Sequence, residues 1–192
     1  NSTTSAQGTL GRILLLQRKP AEAEPLLRSY LEGKRRVVGP DHVTALAALD
    51  DLSSALYFNG HLEEAESVLR ESLERRMRVF GAEHQADLIT LRNMGLVLLG
   101  QGKLDEAEPL FRRALAGCEA KLGAEHPHTL KAVGSLAGLL RDQGKLDKAE
   151  PLMRRALAGR EAKLGPDHPD TLSSVAWVAL LLKRQGKLDE AE

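Results

Sequence analysis

The stretch GKLDEAEPLFRRAL, Gly102 to Leu115, returns as GKLDKAEPLMRRAL at Gly144 to Leu157. The step is 42 residues, and GKLDEAE begins again after another 42, at Gly186. Stepping backwards finds GHLEEAE at Gly60 and RKPAEAE at Arg18. A second marker keeps the same step: GPDH at Gly39, GAEH at Gly81 and Gly123, GPDH at Gly165. The chain therefore holds four full periods and a partial fifth, approximately 1–42, 43–84, 85–126, 127–168 and 169–192. A period of this length marks stacked supersecondary units, each too small to bury its own apolar face. Residues 1–192 are expected to form a single repeat array.

Each period carries two apolar-periodic segments. Thr129–Asp142 places Leu130, Val133, Leu136, Ala137 and Leu140 on one helical face. Leu104–Leu122 does the same with Ala107, Leu110, Phe111, Ala114 and Leu115. QGK and GAEHP separate them, with breakers where helices should stop. Asp105 and Glu106 suit the positive end of the second helix, and Pro109 lies about one turn in. β-branched residues are sparse, and no strand-like alternation is present. The expectation is all helix and loop.

Two columns of small residues explain why the stretch recurs. Ala23, Ala65, Ala107, Ala149 and Ala191 hold one, and Gly11, Ser53, Gly95, Ala137 and Ala179 the other. Small side chains are required where paired helices touch, so the same crossing is built repeatedly.

Candidates for chemistry dissolve into the repeat. His42, His84, His126 and His168 recur once per period in one loop. Neighbouring repeats lie about 10 Å apart, too far to share a metal, so each histidine is expected to cap or pack its own loop. The acidic runs DEAE and EEAE open every second helix and are read as dipole partners. The basic runs GKRR (Gly33–Arg36) and ERRMR (Glu74–Arg78) are read as solvated helix ends. Cys118 has no adjacent catalytic histidine in sequence, and no P-loop, GxGxxG, HExxH or GxSxG occurs. No catalytic, cofactor or metal site is expected, so the chain is read as not itself an enzyme.

Lys plus Arg equals Asp plus Glu at 27 each, and aromatics are 3%, which argues against nucleic acid. The longest apolar run, Val175–Leu182, is far too short to span a bilayer. One cysteine suits a reducing compartment such as the cytoplasm, or an organelle if a targeting segment lies elsewhere. The opening NSTTSAQG and a last residue inside a repeat suggest a piece of a longer protein.

The columns resemble the tetratricopeptide repeat: a Leu-type position (Leu10, Leu52, Met94, Leu136, Val178), then the small residue, then Ala one helix later. The 42-residue period and KLGPDHPDTL, Lys163 to Leu172, resemble its kinesin-light-chain type. The resemblance implies a right-handed α-solenoid of helix hairpins whose first helices line a concave face. It further implies a protein or peptide partner laid along that face. The corresponding lining is Gly8, Thr9, Arg12 and Leu15; then Asp50, Asp51, Ser54 and Tyr57; then Arg92, Asn93, Leu96 and Leu99. It continues with Lys131, Gly134, Ser135 and Arg141, and with Ser173, Ala176, Trp177, Leu180 and Lys183. Kinesin light chains place an Asn pair at the Arg92–Asn93 column, and only Asn93 matches it. The chaperone-tail clamp of other members is matched only at Asn93 and Lys131.

These positions give an acidic second repeat and later repeats carrying Arg92, Lys131, Arg141 and Lys183. The expected partner is a protein or peptide with an acidic segment, with Leu96, Leu99 and Trp177 as apolar seats. Trp177 is also a candidate for packing against a following repeat. The functional expectation is a scaffold or adaptor. The alternative is a structural subunit of a larger assembly, held through its edges or convex face.

Overall fold

The computed structural model describes residues 2–81 and 85–184, and the chain forms two compact units, Asn1–Lys103 and Leu104–Glu192. The first unit contains α1 (Ser2–Leu16), α2 (Pro20–Val38), α3 (Val43–Phe58), α4 (Leu62–Phe80) and α5 (Gln85–Gly100). The second contains α6 (Leu104–Leu122), α7 (Pro127–Asp142), α8 (Leu146–Leu164) and α9 (Pro169–Arg184). Within each unit consecutive helices pack on one another. No strand occurs among the described residues. No helix among them is long and apolar enough to cross a membrane.

The histidines start the first helices. The Nδ1 atoms of His42, His126 and His168 accept from the backbone N–H of Thr44, His128 and Asp170 at 3.2, 3.2 and 3.1 Å. Each thus satisfies one of the donors a helix start leaves open. This is why α7 begins at Pro127, three residues before its apolar stripe does. His84 lies outside the described residues. Pro25, Pro109 and Pro151 sit inside α2, α6 and α8 without interrupting them.

Glycine ends the helices. Gly39, after α2, has φ 88° and ψ 159°, a region essentially closed to any residue with a Cβ. In the turn inside each hairpin, Gly60, Gly102 and Gly144 take φ between 75° and 80°. Arg18 occupies that position in the first hairpin, at φ 61°.

The small columns pack as expected. Ala23, Ala65, Ala107 and Ala149 are fully buried, while Ala191 lies outside the described residues. A Cβ on Gly11 would come within 2.7 Å of Leu27. The column's last member, Ala179, is only half-buried.

One recurring device was not read from the sequence. The last glutamate of each acidic run joins successive repeats. Glu24 accepts from Asn59 Nδ2 at 2.5 Å, Glu66 from Gln101 Nε2 at 2.9 Å, and Glu108 from Gln143 Nε2 at 2.9 Å. Two residues further on, His61, Lys103 and Lys145 approach the same carboxylates at 3.3, 3.2 and 3.2 Å. The QGK linker is therefore more than a breaker. Its Gln and Lys clamp the preceding repeat.

The basic runs are likewise structural. The expectation that ERRMR is a solvated helix end fails at Arg76, which is buried at 2% exposure. Arg75 and Arg78 both reach Asp41, at 2.8 and 2.7 Å, and Arg35 of GKRR reaches Glu71 at 2.6 Å. The partners lie on neighbouring elements: Asp50 on α3, Asp41 in the loop before it, and Glu71 on α4.

Candidate functional site

In the first unit, α3 and α5 frame a cleft of about 140 Å³. Its walls are Ser53, Ser54, Tyr57 and Phe58 from α3 and Arg92, Asn93, Leu96 and Val97 from α5, with Leu69 of α4 beneath. The sequence-derived lining residues Ser54, Tyr57, Arg92, Asn93 and Leu96 are thus brought together. Their spacing explains this, since residues three or four apart share a helix face.

The cleft has a polar and an apolar side. Arg92 Nη2 donates to Asn93 Oδ1 at 3.0 Å, setting a guanidinium beside an amide. Ser54 Oγ donates to the Asp50 carbonyl at 2.9 Å. Opposite, the Tyr57 and Phe58 rings meet edge to face, centroids 5.3 Å apart. Phe58 is 53% exposed and was not among the expected lining residues. Its position one residue after Tyr57, at the helix end, is the only hint the sequence carried.

The two aspartates of the second repeat do not present free charge. Asp50 accepts from Arg76 Nη2 at 2.6 Å, Thr90 Oγ1 at 3.0 Å and Ser72 Oγ at 3.1 Å. Burial pushes its carboxyl up to about 6 against the pull of Arg76 and the hydroxyls. Asp51 pairs with Arg12 at 3.1 Å. The acidic end of the expected gradient is therefore neutralised internally.

The reason is positional. Gly8, Asp50 and Gly134 stand three residues before the small column, so they share its face toward their own second helix. A Cβ at Gly8 would meet the Tyr30 ring at 2.8 Å, and one at Gly134 would meet Arg160 at 3.2 Å. Arg92, in the same column, lines the cleft because its side chain is long.

In the second unit, Arg141 Cζ lies 4.1 Å over the Trp177 ring, and Arg141 pairs with Asp142 at 2.7 Å. Trp177 keeps 44% of its surface exposed. Lys131 on α7 and Lys183 on α9 are exposed. Cys118 is buried.

One group among the described residues has metal-ligand character: Glu24, His61 and Glu64 bring ligand atoms within 4.8 Å of one another. Arg28 donates to Glu24 at 2.8 Å and to Glu64 at 2.6 Å. That guanidinium supplies the neutralising charge a cation would bring.

Residues 2–78, 59–120, 86–162 and 128–192 each match the tetratricopeptide repeat. Among solved structures, the chain is similar to a kinesin light chain-like protein of Podosopora anserina with nearly identical TPR-like repeats. Identity there is 24% over 97% of this chain and 88% of that one, with TM-score 0.74. BtubC (BKLC) of P. vanneervenii is 18% identical over 96% and 74% of the two chains, with TM-score 0.77. MamA of Desulfovibrio magneticus RS-1 is 16% identical over 100% and 90%, with TM-score 0.61. At these identities the likeness is one of fold. No curated protein matches the chain.

Proposed function

We infer function from one premise: the chain belongs to the tetratricopeptide repeat family. It serves as a non-catalytic protein-interaction scaffold, and the α3–α5 cleft is where it holds a partner peptide. The observation that carries this reading is the convergence of Ser54, Tyr57, Arg92, Asn93 and Leu96 on that cleft. Arg92 offers a charge to an acidic side chain, Asn93 an amide to a peptide backbone, and Tyr57, Phe58 and Leu96 an apolar seat. In the second unit Arg141 and Trp177, with Lys131 and Lys183, extend the same preference for a partner carrying acidic and apolar residues.

The test is selection of displayed 12-residue peptides on the intact chain, followed by fluorescence anisotropy of those enriched. Enriched peptides should combine an acidic with an apolar residue. Arg92→Glu should weaken them about tenfold, roughly 1.4 kcal/mol, with helical circular dichroism unchanged. Binding that survives both Arg92→Glu and Tyr57→Ala would remove the cleft from the account. A second reading, a structural subunit held in a larger assembly, draws on the exposed apolar side chains Leu10 and Ile13 of α1.

A further inference from the structure

A polar cluster joins the helices that frame the cleft. Asp50 Oδ1 accepts from Thr90 of α5 at 3.0 Å and from Ser72 of α4 at 3.1 Å, and its Oδ2 accepts from Arg76 of α4 at 2.6 Å. Ser72, Arg76 and Thr90 are each no more than 2% exposed. One carboxylate thus ties α3 to α4, the floor, and to α5, the opposite wall. The same residue holds the α3 wall from within. Its carbonyl accepts from Ser53 Oγ at 2.8 Å and from Ser54 Oγ at 2.9 Å.

The other periods show that the fold does not require this cluster. One period later the Ser72, Arg76 and Thr90 columns hold Ala114, Cys118 and Ala132, all buried. One period earlier Ala48 stands at the Thr90 column. The Asp50 column holds Gly8, Arg92, Gly134 and Ala176, so no other period places a carboxylate there. Where Gly134 takes its place, Arg160 at the Arg76 column donates directly to Ser174 at the Thr90 column, at 2.6 Å. Small side chains therefore meet the packing need elsewhere. A largely buried ion pair adds little net stability, because desolvation offsets the attraction. What a fully bonded network adds is a single allowed arrangement of the groups around it.

We propose, on the reading that the cleft holds the partner, that Asp50 is its positioning residue: through Thr90 it sets α5 against α3, so that Arg92 and Asn93 stand opposite Ser54 and Tyr57 before a partner arrives. Thr90 lies two residues before Arg92, and Asp50 four before Ser54, so their bond joins the walls beside the residues that line them. Asp50 itself does not line the cleft. A preformed cleft spares the complex the entropy of ordering it on binding.

The test uses the intact chain, the peptides enriched by display, and a spin-label pair at Ala47→Cys on α3 and Leu99→Cys on α5 in a Cys118→Ala background. Thr90→Val should broaden the distribution of label distances and weaken the peptides about tenfold. Thr90→Ser, which keeps the hydroxyl, should restore both. Asp50→Leu with Arg76→Met separates positioning from stability. Its urea midpoint should stay near wild type while the label distances stay broad and affinity stays about tenfold down. Thr90→Val that leaves either readout unchanged overturns the proposal. So does a double variant that regains affinity together with stability, which would make Asp50 structural only. A different failure is the absence of any enriched peptide, or binding that survives both Arg92→Glu and Tyr57→Ala. That result removes the cleft as the partner site, and the role of Asp50 with it, whatever the labels report.

Discussion

At the scale of single residues, the most consequential pair is Asp50 and Arg76. Arg76 is buried and the Asp50 side chain keeps 16% exposure, and Arg76 also donates to Ser72 at 3.2 Å. Removing one partner strands the other charge. Asp50→Ala should therefore destabilise the chain by about 3–5 kcal/mol in urea melts. Replacing both, Asp50→Leu with Arg76→Met, should recover most of that. If the single change costs under 1 kcal/mol, the pair is not the node described here. Arg18 makes the opposite case. It holds φ 61° where later hairpins have glycine, and the left-handed region costs a residue with a Cβ about 1 kcal/mol. Arg18→Gly should raise the urea midpoint, and a fall would show that the Arg18 side chain compensates. The positive φ follows from the column alignment with Gly60, Gly102 and Gly144. The burial of Arg76 does not, because a local charge run carries no record of which helix lies opposite.

At the scale of elements, the clamp between successive hairpins has its own pH signature. Hydrogen bonds from Gln143, Arg112 and Lys145 pull the Glu108 carboxyl from its ordinary 4.5 down to about 2. A depressed folded value means the unfolded chain takes up the proton first. The stabilisation is thus full above pH 4.5 and is lost as the pH falls toward 2. Glu108→Gln should flatten the acid limb of a stability–pH profile over that window and leave its shape near neutrality alone. An unchanged acid limb would count against the clamp. The helices themselves were legible, because their period, breakers and caps are local. The clamp was not, because its parts lie 35 and 37 residues apart and look like a dipole partner and a turn when read separately.

At the scale of the whole molecule, stability in a repeat array is close to a sum of neighbour terms. A cavity in one repeat should then be felt mainly nearby. Leu139 is fully buried in α7, so Leu139→Ala should cost about 2–5 kcal/mol. Hydrogen exchange should accelerate in α6–α8 and stay near wild type in α2 and α3. Uniform acceleration would mean that the chain unfolds as one unit. Sequence alone determined the period, the helix pairs, the small columns and the family, because each is written in spacing along the chain; that the loop histidines cap, rather than pack, was decided by the structure. It also named five of the side chains that line the α3–α5 cleft, Ser54, Tyr57, Arg92, Asn93 and Leu96. Only the tertiary structure decided that Asp50 and Asp51 spend their charge on Arg76 and Arg12 and that Phe58 joins the cleft. Burial and charge pairing depend on what lies across an interface, and a column of residues shows one side of it.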